Sequence, residues 1–321
     1  MLFYFVRMCL KKKLLSGTTL IIFFFSLSCF QTNKKSFALI DSITINSFPS
    51  ASAVEFHNNK FYVFGDDAAY LLVLDTNFNI VEKIYFKDSI AERLSPEEKP
   101  DIESTSINKE GGRSYLYAFG SHSSGNRKKI LRFPLDSLQN FTVLPHSISE
   151  NPLLKVLNIE GAAFVNGELL LANRANNSFR TNYIFIENIE NTSRTSSIPQ
   201  IMEIQFPESK NITGISGLFY FEEKDILFFT ASQEETTDPL VDGPIGNSFL
   251  GWIYNFSKNR NVKLKPDNLI DLLHADSQFK GSKIESVTVQ QYKDNHLHLI
   301  LVADNDDGKS ILYKVNVDVS R

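Results

Sequence analysis

The segment that decides the fold is NIEGAAF, residues 158–164, because variants of it recur along the chain. The other openings are SASAVEF (50–56), DIESTSI (101–107), GISGLFY (214–220) and KIESVTV (283–289). After each opening, a short polar turn leads into a second apolar run, and a third run follows in every unit. Short apolar runs bounded by turn residues are typical of β-strands. The chain therefore contains five similar β units.

The strand count predicts how these units are arranged. Four units have a fourth run, namely IVEKIYF (80–86), FTVLPHS (141–147), QIMEIQF (200–206) and NVKLKPDNLIDLL (261–273). The fifth unit has only three runs before Arg321, and an unmatched strand, FALIDSITI (37–45), precedes the first unit. A propeller closed by this strand would leave no unpaired sheet edge. We predict an all-β, five-bladed β-propeller closed by an N-terminal strand. The alternatives are a six-bladed propeller and a β-sandwich, and a β-sandwich would not need five matching openings.

The N-terminal residues are typical of an export signal. Arg7 and three lysines at 11–13 precede a largely apolar segment, LLSGTTLIIFFFSL (14–27). This segment is shorter than the ~20 residues that a membrane-spanning helix needs. Cys29 follows almost directly, as in lipoprotein signals, although a plain cleaved signal or an uncleaved anchor is an alternative. The predicted organisation is a lipoprotein signal at 1–28, a tether at 29–36 lipidated at Cys29, and one propeller domain at 37–321.

The composition limits the partners of the mature chain. Cys9 and Cys29 are the only cysteines, so no pair remains for an internal disulfide after the signal. Removing residues 1–28 takes away four of 33 basic residues and none of 37 acidic ones, which leaves a formal net charge of −8. Nucleic acid is excluded as a partner, because phosphate binding needs clustered Lys and Arg. We predict an exported monomer anchored by an N-terminal acyl group to a lipid membrane of the bacterial cell envelope, at its periplasmic side or outer membrane.

The strand order predicts which polar side chains converge at one end of the channel. In an antiparallel meander, the start of the first strand and the end of the second lie at the same end of the blade. The first of these positions is occupied by Ser52, Glu103, Glu160, Ser216 and Glu285. The second runs end in a small residue followed by polar ones. We predict a ligand-binding face at the channel mouth, formed by Asp66, Asp67, His122, Asn173, Arg174, Gln233, Asp304 and Asn305.

Three glutamates in this arrangement predict a cation. Crowded carboxylates repel and raise one another's pKa, and hard oxygen ligands suit calcium or magnesium. Glu103, Glu160 and Glu285 are therefore predicted to hold calcium or magnesium, with Arg174 as an alternative counter-charge. Hydration of the channel is the alternative that needs no ion. The sequence DNDDG (304–308) begins like a calcium loop, but an Asp-Gly hairpin turn explains it equally well.

The openings DIEST, NIEGAAF and KIESVTV resemble the D-x-E-G strands of the esterase-like phytase propellers. Over residues 37–318, the chain resembles a family of uncharacterised propeller lipoproteins from Bacteroidetes-type bacteria. The related gluconolactonase-type propellers place a divalent metal on a glutamate at the start of an inner strand. The resemblance implies this role for Glu103, Glu160 and Glu285, whereas Ser52 and Ser216 depart from the pattern. The remaining ligands of those enzymes have no traceable counterpart, so their activities are not implied.

Two classes of function agree with these features. A non-catalytic propeller would bind a divalent cation or a ligand at the channel mouth, such as a small molecule, a glycan or an envelope protein. A metal-dependent phosphoesterase or esterase-like hydrolase would use the metal to polarise substrate and water. No unambiguous general base accompanies the three glutamates, which favours binding.

Overall fold

A computed structural model describes residues 36–46, 48, 50–87, 93–148, 151–187, 189, 200–209, 211–234, 243–305 and 308–321. Within these residues, 21 strands form five sheets, which are the blades of a five-bladed propeller. The predicted fold is therefore confirmed, and the six-bladed alternative is wrong. The predicted signal, the lipidation site Cys29 and tether residues 30–35 lie outside the described residues. No helix in the described part of the chain is long and apolar enough to cross a membrane.

The strands follow the predicted units in chain order. The N-terminal strand is β1 (Phe37–Ile45). Blade 1 contains β2 (Ala51–His57), β3 (Lys60–Gly65), β4 (Tyr70–Asp75) and β5 (Ile80–Tyr85). Blade 2 contains β6 (Ile102–Glu110), β7 (Arg113–Gly120), β8 (Lys129–Pro134) and β9 (Thr142–Pro145). Blade 3 contains β10 (Ile159–Val165), β11 (Glu168–Asn173), β12 (Asn182–Glu187), β13 (Ile201–Ile204) and β17 (Lys263–Leu264).

The last two blades complete the ring. Blade 4 contains β14 (Thr213–Phe221), β15 (Ile226–Glu234), β16 (Ile245–Tyr254) and β18 (Asn268–Asp271). Blade 5 contains β19 (Lys283–Lys293), β20 (His296–Asp304), β21 (Ser310–Asp318) and β1. The helical segments are the α-helix α1 (Leu272–Ala275) and 3-10 turns at Gly125–Arg127, Leu138–Asn140, Glu222–Lys224, Phe256–Lys258 and Ser277–Phe279. The N-terminal strand β1 pairs antiparallel with β21, so it closes the ring as predicted.

The core lies between the blades, which explains why the second runs are apolar at nearly every position. Side chains of successive strand residues point to opposite faces of a sheet. In β15, Ile226 and Phe228 pack towards blade 5, whereas Leu227 and Phe229 pack towards blade 3. Five buried apolar clusters fill the interfaces between neighbouring blades in this way. Both faces of a blade are therefore buried.

One predicted strand divides between two blades. Residues 261–273 were expected to form the fourth strand of unit four as one run. Instead, β17 pairs parallel with β13 of blade 3, and only β18 pairs with β16 of blade 4. Pro266 lies between the two segments and has no N–H to continue a ladder. Leu264 is buried in the core between blades 3 and 4, which stabilises the separate position of β17.

Candidate metal centre and ligand pocket at the channel mouth

A β-bulge recurs at the same position in all five innermost strands. Each pairing register shifts by one residue next to the opening position, in β2, β6, β10, β14 and β19. The bulged residues are Ser52, Glu103, Glu160, Ser216 and Glu285. A bulge leaves one residue out of the ladder and turns its side chain in a new direction. The five opening positions are therefore structurally equivalent.

Backbone hydrogen bonds bring the ends of the second strands to the same place. The N–H groups of Asp66 and Arg174 donate to the carbonyls of Ser50 and Asn158, at 3.1 and 2.9 Å. Each carbonyl belongs to the residue just before an innermost strand, so the bond closes the open end of the hairpin. This geometry places the opening residues and the polar residues after the second strands at one end of the blade, as the meander argument predicted.

The two serine positions tie neighbouring blades together. Ser52 Oγ donates to the carbonyl of Ile102 in blade 2, and Ser216 Oγ donates to that of Ile284 in blade 5 at 2.5 Å. Both carbonyls belong to residues that precede a bulge, where the ladder is interrupted. The serines therefore satisfy backbone groups. The three glutamates at the equivalent positions line a cavity, as does Ser52.

This cavity at the channel mouth has a volume of about 380 Å³ and a strongly charged lining. Eight carboxylates line it: Asp66, Asp67, Asp101, Glu103, Glu160, Glu234, Glu285 and Asp304. Five cationic side chains also line it: Arg93, Lys99, Arg127, Arg174 and Lys283. The acids thus outnumber the bases by three. All three predicted glutamates are present, together with four of the eight residues of the predicted ligand-binding face.

Arg174 lies among three of these carboxylates and is almost fully buried. Its Nη1 atom is 3.6 Å from Glu160 Oε2 and 3.8 Å from Glu285 Oε2, and its Nη2 atom is 3.1 Å from Glu234 Oε2. Lys283 Nζ adds a contact of 3.0 Å to Glu285 Oε1. The guanidinium thus occupies the position between Glu160 and Glu285 that sequence reasoning gave to either a metal ion or Arg174.

Burial sets the protonation of this network. Desolvation raises the pKa of Glu160 to about 7, against the opposing effect of Arg174 and with a further increase from Glu285. Burial also raises the pKa of Glu285, although Lys283 and Arg174 oppose it. Glu234 differs, because Lys283 and Arg174 lower its pKa despite the desolvation. Glu160 is therefore the member of this network that can exchange a proton near neutral pH.

A second carboxylate group lies beside this network. One oxygen each from Asp66, Asp101 and Glu103 lies within 4.8 Å of the others. Lys99 Nζ is 2.5 Å from Asp66 Oδ2 and 2.8 Å from Asp101 Oδ1. Arg127 Nη1 is 2.8 Å from Asp101 Oδ2. The structure thus assembles an acidic group that shares only Glu103 with the predicted set of three glutamates.

Glu103 is the least compensated acid of this second group. Its carboxylate makes no hydrogen bond or ion pair with any other residue that the structure describes. Burial raises its pKa well above the ordinary value, and the charges of Glu160, Asp101 and Asp66 add to that increase, while Lys99 opposes it. A cation that reached this carboxylate would remove the repulsion and hold it in the ionised form.

The other four residues of the predicted face lie away from the cavity lining. His122 is buried against His146, with His146 Nδ1 3.0 Å from His122 Nε2. Burial, together with His146 and Lys128, lowers the pKa of His122 to about 3, so the ring is neutral at physiological pH. Asn173 Oδ1 accepts the N–H of Asn158 at 2.7 Å and therefore supports the start of a strand.

Gln233 and Asn305 complete this group of four. Gln233 Nε2 contacts Ser209 Oγ and Thr213 Oγ1, both at 3.3 Å. Asn305 follows β20, and its Oδ1 atom is buried without a hydrogen-bond partner among the described residues. Asp306 and Asp307 of the DNDDG turn lie outside the described residues. The side chains of Gln233 and Asn305 do not line the cavity.

Sequence reasoning missed Lys99, Glu234 and Lys283 as members of the mouth. Lys283 opens the quoted segment KIESVTV, so its presence two residues before Glu285 was a usable signal. Glu234 is the last residue of β15, one position beyond Gln233. Lys99 belongs to the connection between blades 1 and 2, where strand periodicity gives no information.

The chain matches one protein family and is similar to several solved structures. Residues 47–317 match the protein family described as "Family of unknown function (DUF6929)". No curated protein sequence matches the chain. Among solved structures, glutaminyl cyclase from Myxococcus xanthus is similar with a TM-score of 0.49 and 10% identity, over 89% of this chain and 97% of that one.

Two further structures illustrate the range of similarity. A catalytically inactive variant of virginiamycin B lyase from Staphylococcus aureus gives a TM-score of 0.43 at 10% identity, over 87% of this chain and 99% of that one. A DUF4623 family protein from Bacteroides eggerthii gives a TM-score of 0.39 at 9% identity, over 88% of this chain and 76% of that one.

Proposed function

The chain belongs to DUF6929, a family of unknown function, and we propose that its propeller binds calcium or magnesium at the channel mouth. The proposed ligands are Asp66, Asp101 and Glu103. The observation that carries the proposal is their clustering, with one oxygen of each within 4.8 Å of the others. Carboxylate oxygens are the ligands that both ions prefer, and water or a bound molecule would complete the coordination.

The charge of the mouth supports this proposal. Eight carboxylates face five cationic side chains, and Glu103 makes no hydrogen bond or salt bridge with the described residues. A bound dication would reduce the excess of acids. Glu160 and Glu285, which sequence reasoning placed in the metal site, already face Arg174. We assign them to the surrounding network, where they act on the ion through charge.

Calcium is expected to raise the melting temperature of chelator-treated protein, and Glu103→Gln is expected to lose most of that rise. An ion that binds only the folded state adds ~2.7 kcal/mol of stability at a hundredfold excess over its dissociation constant. The ion-free variant should be no less stable than ion-free wild type, because the substitution removes a carboxylate that its neighbours repel. Thermal unfolding with and without calcium or magnesium measures both effects.

The matched control is Glu223→Gln, which removes one carboxylate from an exposed 3-10 turn. Its calcium response should equal that of wild type. The proposed site would be contradicted if sodium at the same ionic strength raised the melting temperature of wild type as much as calcium does. It would also be contradicted if Glu103→Gln kept the full calcium-dependent rise.

We propose a binding role for the loaded site. The cavity of about 380 Å³ lies at the lower end of the range for small-molecule sites, about 300–1,000 Å³. Its charged lining suits a compact polar group, which a small molecule, a glycan or an envelope protein would supply. The cation would contact that group directly through its free coordination positions.

A metal-dependent phosphoesterase or esterase-like hydrolase is the second candidate. The observation that favours it is Glu160, whose pKa of about 7 suits a group that accepts a proton from water near neutral pH. Hydrolysis of nitrophenyl phosphates and esters with calcium, magnesium or manganese tests this candidate. Activity that requires the ion and disappears in Glu160→Gln would support it, and no turnover with any ion would leave binding as the function.

We further propose that the protein acts at the cell envelope as a lipoprotein anchored through Cys29. The Cys29→Ala variant should leave the membrane fraction or accumulate as an unprocessed precursor, because it lacks the acylated residue. Cys9→Ala is the matched control and should fractionate like wild type. Immunoblots of membrane and soluble fractions measure both. If Cys29→Ala keeps the mature size and stays with the membrane, the anchor is elsewhere.

A further inference from the structure

The proposed cation site is already occupied by a positive group of the protein itself. Lys99 Nζ lies 2.5 Å from Asp66 Oδ2 and 2.8 Å from Asp101 Oδ1. A calcium ion binds its oxygen ligands at about 2.3–2.6 Å. An ion held by these same two oxygens would therefore take the place of the ammonium group.

Two buried carboxylate oxygens of the same cavity accept no hydrogen bond from the described residues. Glu285 Oε2 belongs to a side chain that is 5% exposed, lines the cavity and has no hydrogen-bond partner among the described residues. Asp67 Oδ1 is equally without a hydrogen-bond partner, and its side chain is 9% exposed. Since these atoms are buried acceptors, they can accept a hydrogen bond from a further donor in the mouth, such as a water molecule bound to an ion.

We propose that Lys99 sets the affinity of the cation site. In the unloaded protein its ammonium group occupies the position of the ion, and it must move away before a dication can bind there. This inference rests on the proposed function, since it concerns the same three carboxylates. The ion displaces one positive charge and adds two. Binding is therefore weaker than the three carboxylates alone would give, and only an ion that interacts strongly with oxygen ligands can displace the lysine.

The loop that carries Lys99 allows this exchange without unfolding. Arg93 Nε is 2.6 Å from Asp67 Oδ2, and the N–H of Leu94 donates to the carbonyl of Asp67 at 2.7 Å. Asn126 Nδ2 donates a hydrogen bond of 2.5 Å to the carbonyl of Glu97. These contacts do not involve the lysine. Its side chain is 17% exposed and flexible, so the ammonium can swing into solvent while the loop stays attached.

The first test compares calcium affinity in the full chain by isothermal titration calorimetry. Lys99→Met keeps an unbranched side chain of nearly the same length and removes its charge. We expect the variant to bind calcium at least about tenfold more tightly than wild type, because no buried ion pair has to be broken. Lys280→Met removes an exposed lysine outside the cavity lining and should bind like wild type.

The outcomes separate this inference from the proposed function. Calcium binding to wild type with equal or weaker binding to Lys99→Met would overturn the role of Lys99 and leave the cation site in place. If neither protein binds calcium or magnesium, the cation site itself is overturned, and the inference with it.

A second measurement uses the wild type alone and does not depend on how the variant folds. Acetylation by an amine-reactive ester, followed by peptide mass spectrometry, reports how accessible each lysine is. Calcium is expected to increase acetylation of Lys99 and to leave Lys280 unchanged, relative to sodium at the same ionic strength. Unchanged or reduced acetylation of Lys99 at saturating calcium would overturn the inference.

Discussion

Deletion of residues 37–45 is expected to give a protein that is insoluble or that melts far below wild type. β1 pairs with β21 from Phe37 opposite Val317 to Ile45 opposite Ser310. Phe37 and Ile45 are buried, and burial of one such side chain contributes about 1.5–3 kcal/mol. Because a whole domain is stable by only about 5–15 kcal/mol, the two side chains and the strand pairing make up a large part of that total. The exposed edge of β21 would also promote aggregation.

Solubility and thermal unfolding of the deletion measure this effect. The matched control deletes residues 30–35, which keeps β1 and the carbonyl of Ser36, the acceptor of the Asp318 N–H at 2.9 Å. Its melting temperature should change little. Equal stability of the two deletions would mean that β1 is not what closes the ring.

Arg174→Met is expected to destabilise the fold by about 3–5 kcal/mol, the cost of removing one partner from a buried ion pair. The guanidinium is the common neighbour of Glu160, Glu234 and Glu285, and its side chain is only 4% exposed. Without it, the network keeps Lys283 as its nearest cation. Methionine keeps the aliphatic stem but not the volume of the guanidinium, so the pH dependence is needed to separate loss of charge from loss of packing. Denaturant unfolding at pH 7.5 measures the difference.

The pH dependence of this loss has a definite sign. Loss of the guanidinium raises the pKa of Glu160 further above its ordinary value of 4.5. When the pKa of a carboxyl is higher in the folded than in the unfolded state, the free energy of unfolding falls as the pH rises from the unfolded pKa to the folded pKa. Wild-type Glu160 already has a pKa of about 7, so below pH 7 its carboxyl is protonated in both folded proteins. The Glu160 part of the Arg174→Met penalty should therefore be small below pH 7 and grow as the pH rises above 7.

Two further variants make this result specific. Adding Glu160→Gln to Arg174→Met should recover part of the stability at pH 7.5, because it removes one unpaired charge. Arg113→Met breaks an exposed pair with Asp136 and should have little effect. A loss that is independent of pH, or one that Glu160→Gln does not reduce, would indicate that Arg174 acts through packing.

The opening motif was sufficient to predict the fold and half of the mouth. Glu103, Glu160 and Glu285 converge because each occupies the bulge at the start of an innermost strand, and this position can be counted from the repeat. Arg174 was also accessible, since it follows β11 at the same end of the blade. The repeat reports these positions, because it shows which residues lie at the same end of each blade.

The composition of the proposed metal site could not be predicted in the same way. Lys99 reaches the mouth from a connection between blades, and its partner Asp101 immediately precedes β6, where residue alternation carries little information. His122 lies after β7, at a predicted position, yet its ring packs against His146 from the end of blade 2. The direction of a side chain beyond a strand end depends on local packing, which periodicity does not encode.

A crystal structure of the calcium-loaded protein, with the ion located by its anomalous scattering, tests the central claim most directly. The account predicts one ion bound by the carboxylates of Asp66, Asp101 and Glu103, with Lys99 Nζ displaced from its present position. An ion between Glu160 and Glu285, an ion beside Asp304 only, or the absence of bound calcium at saturating concentration would contradict it.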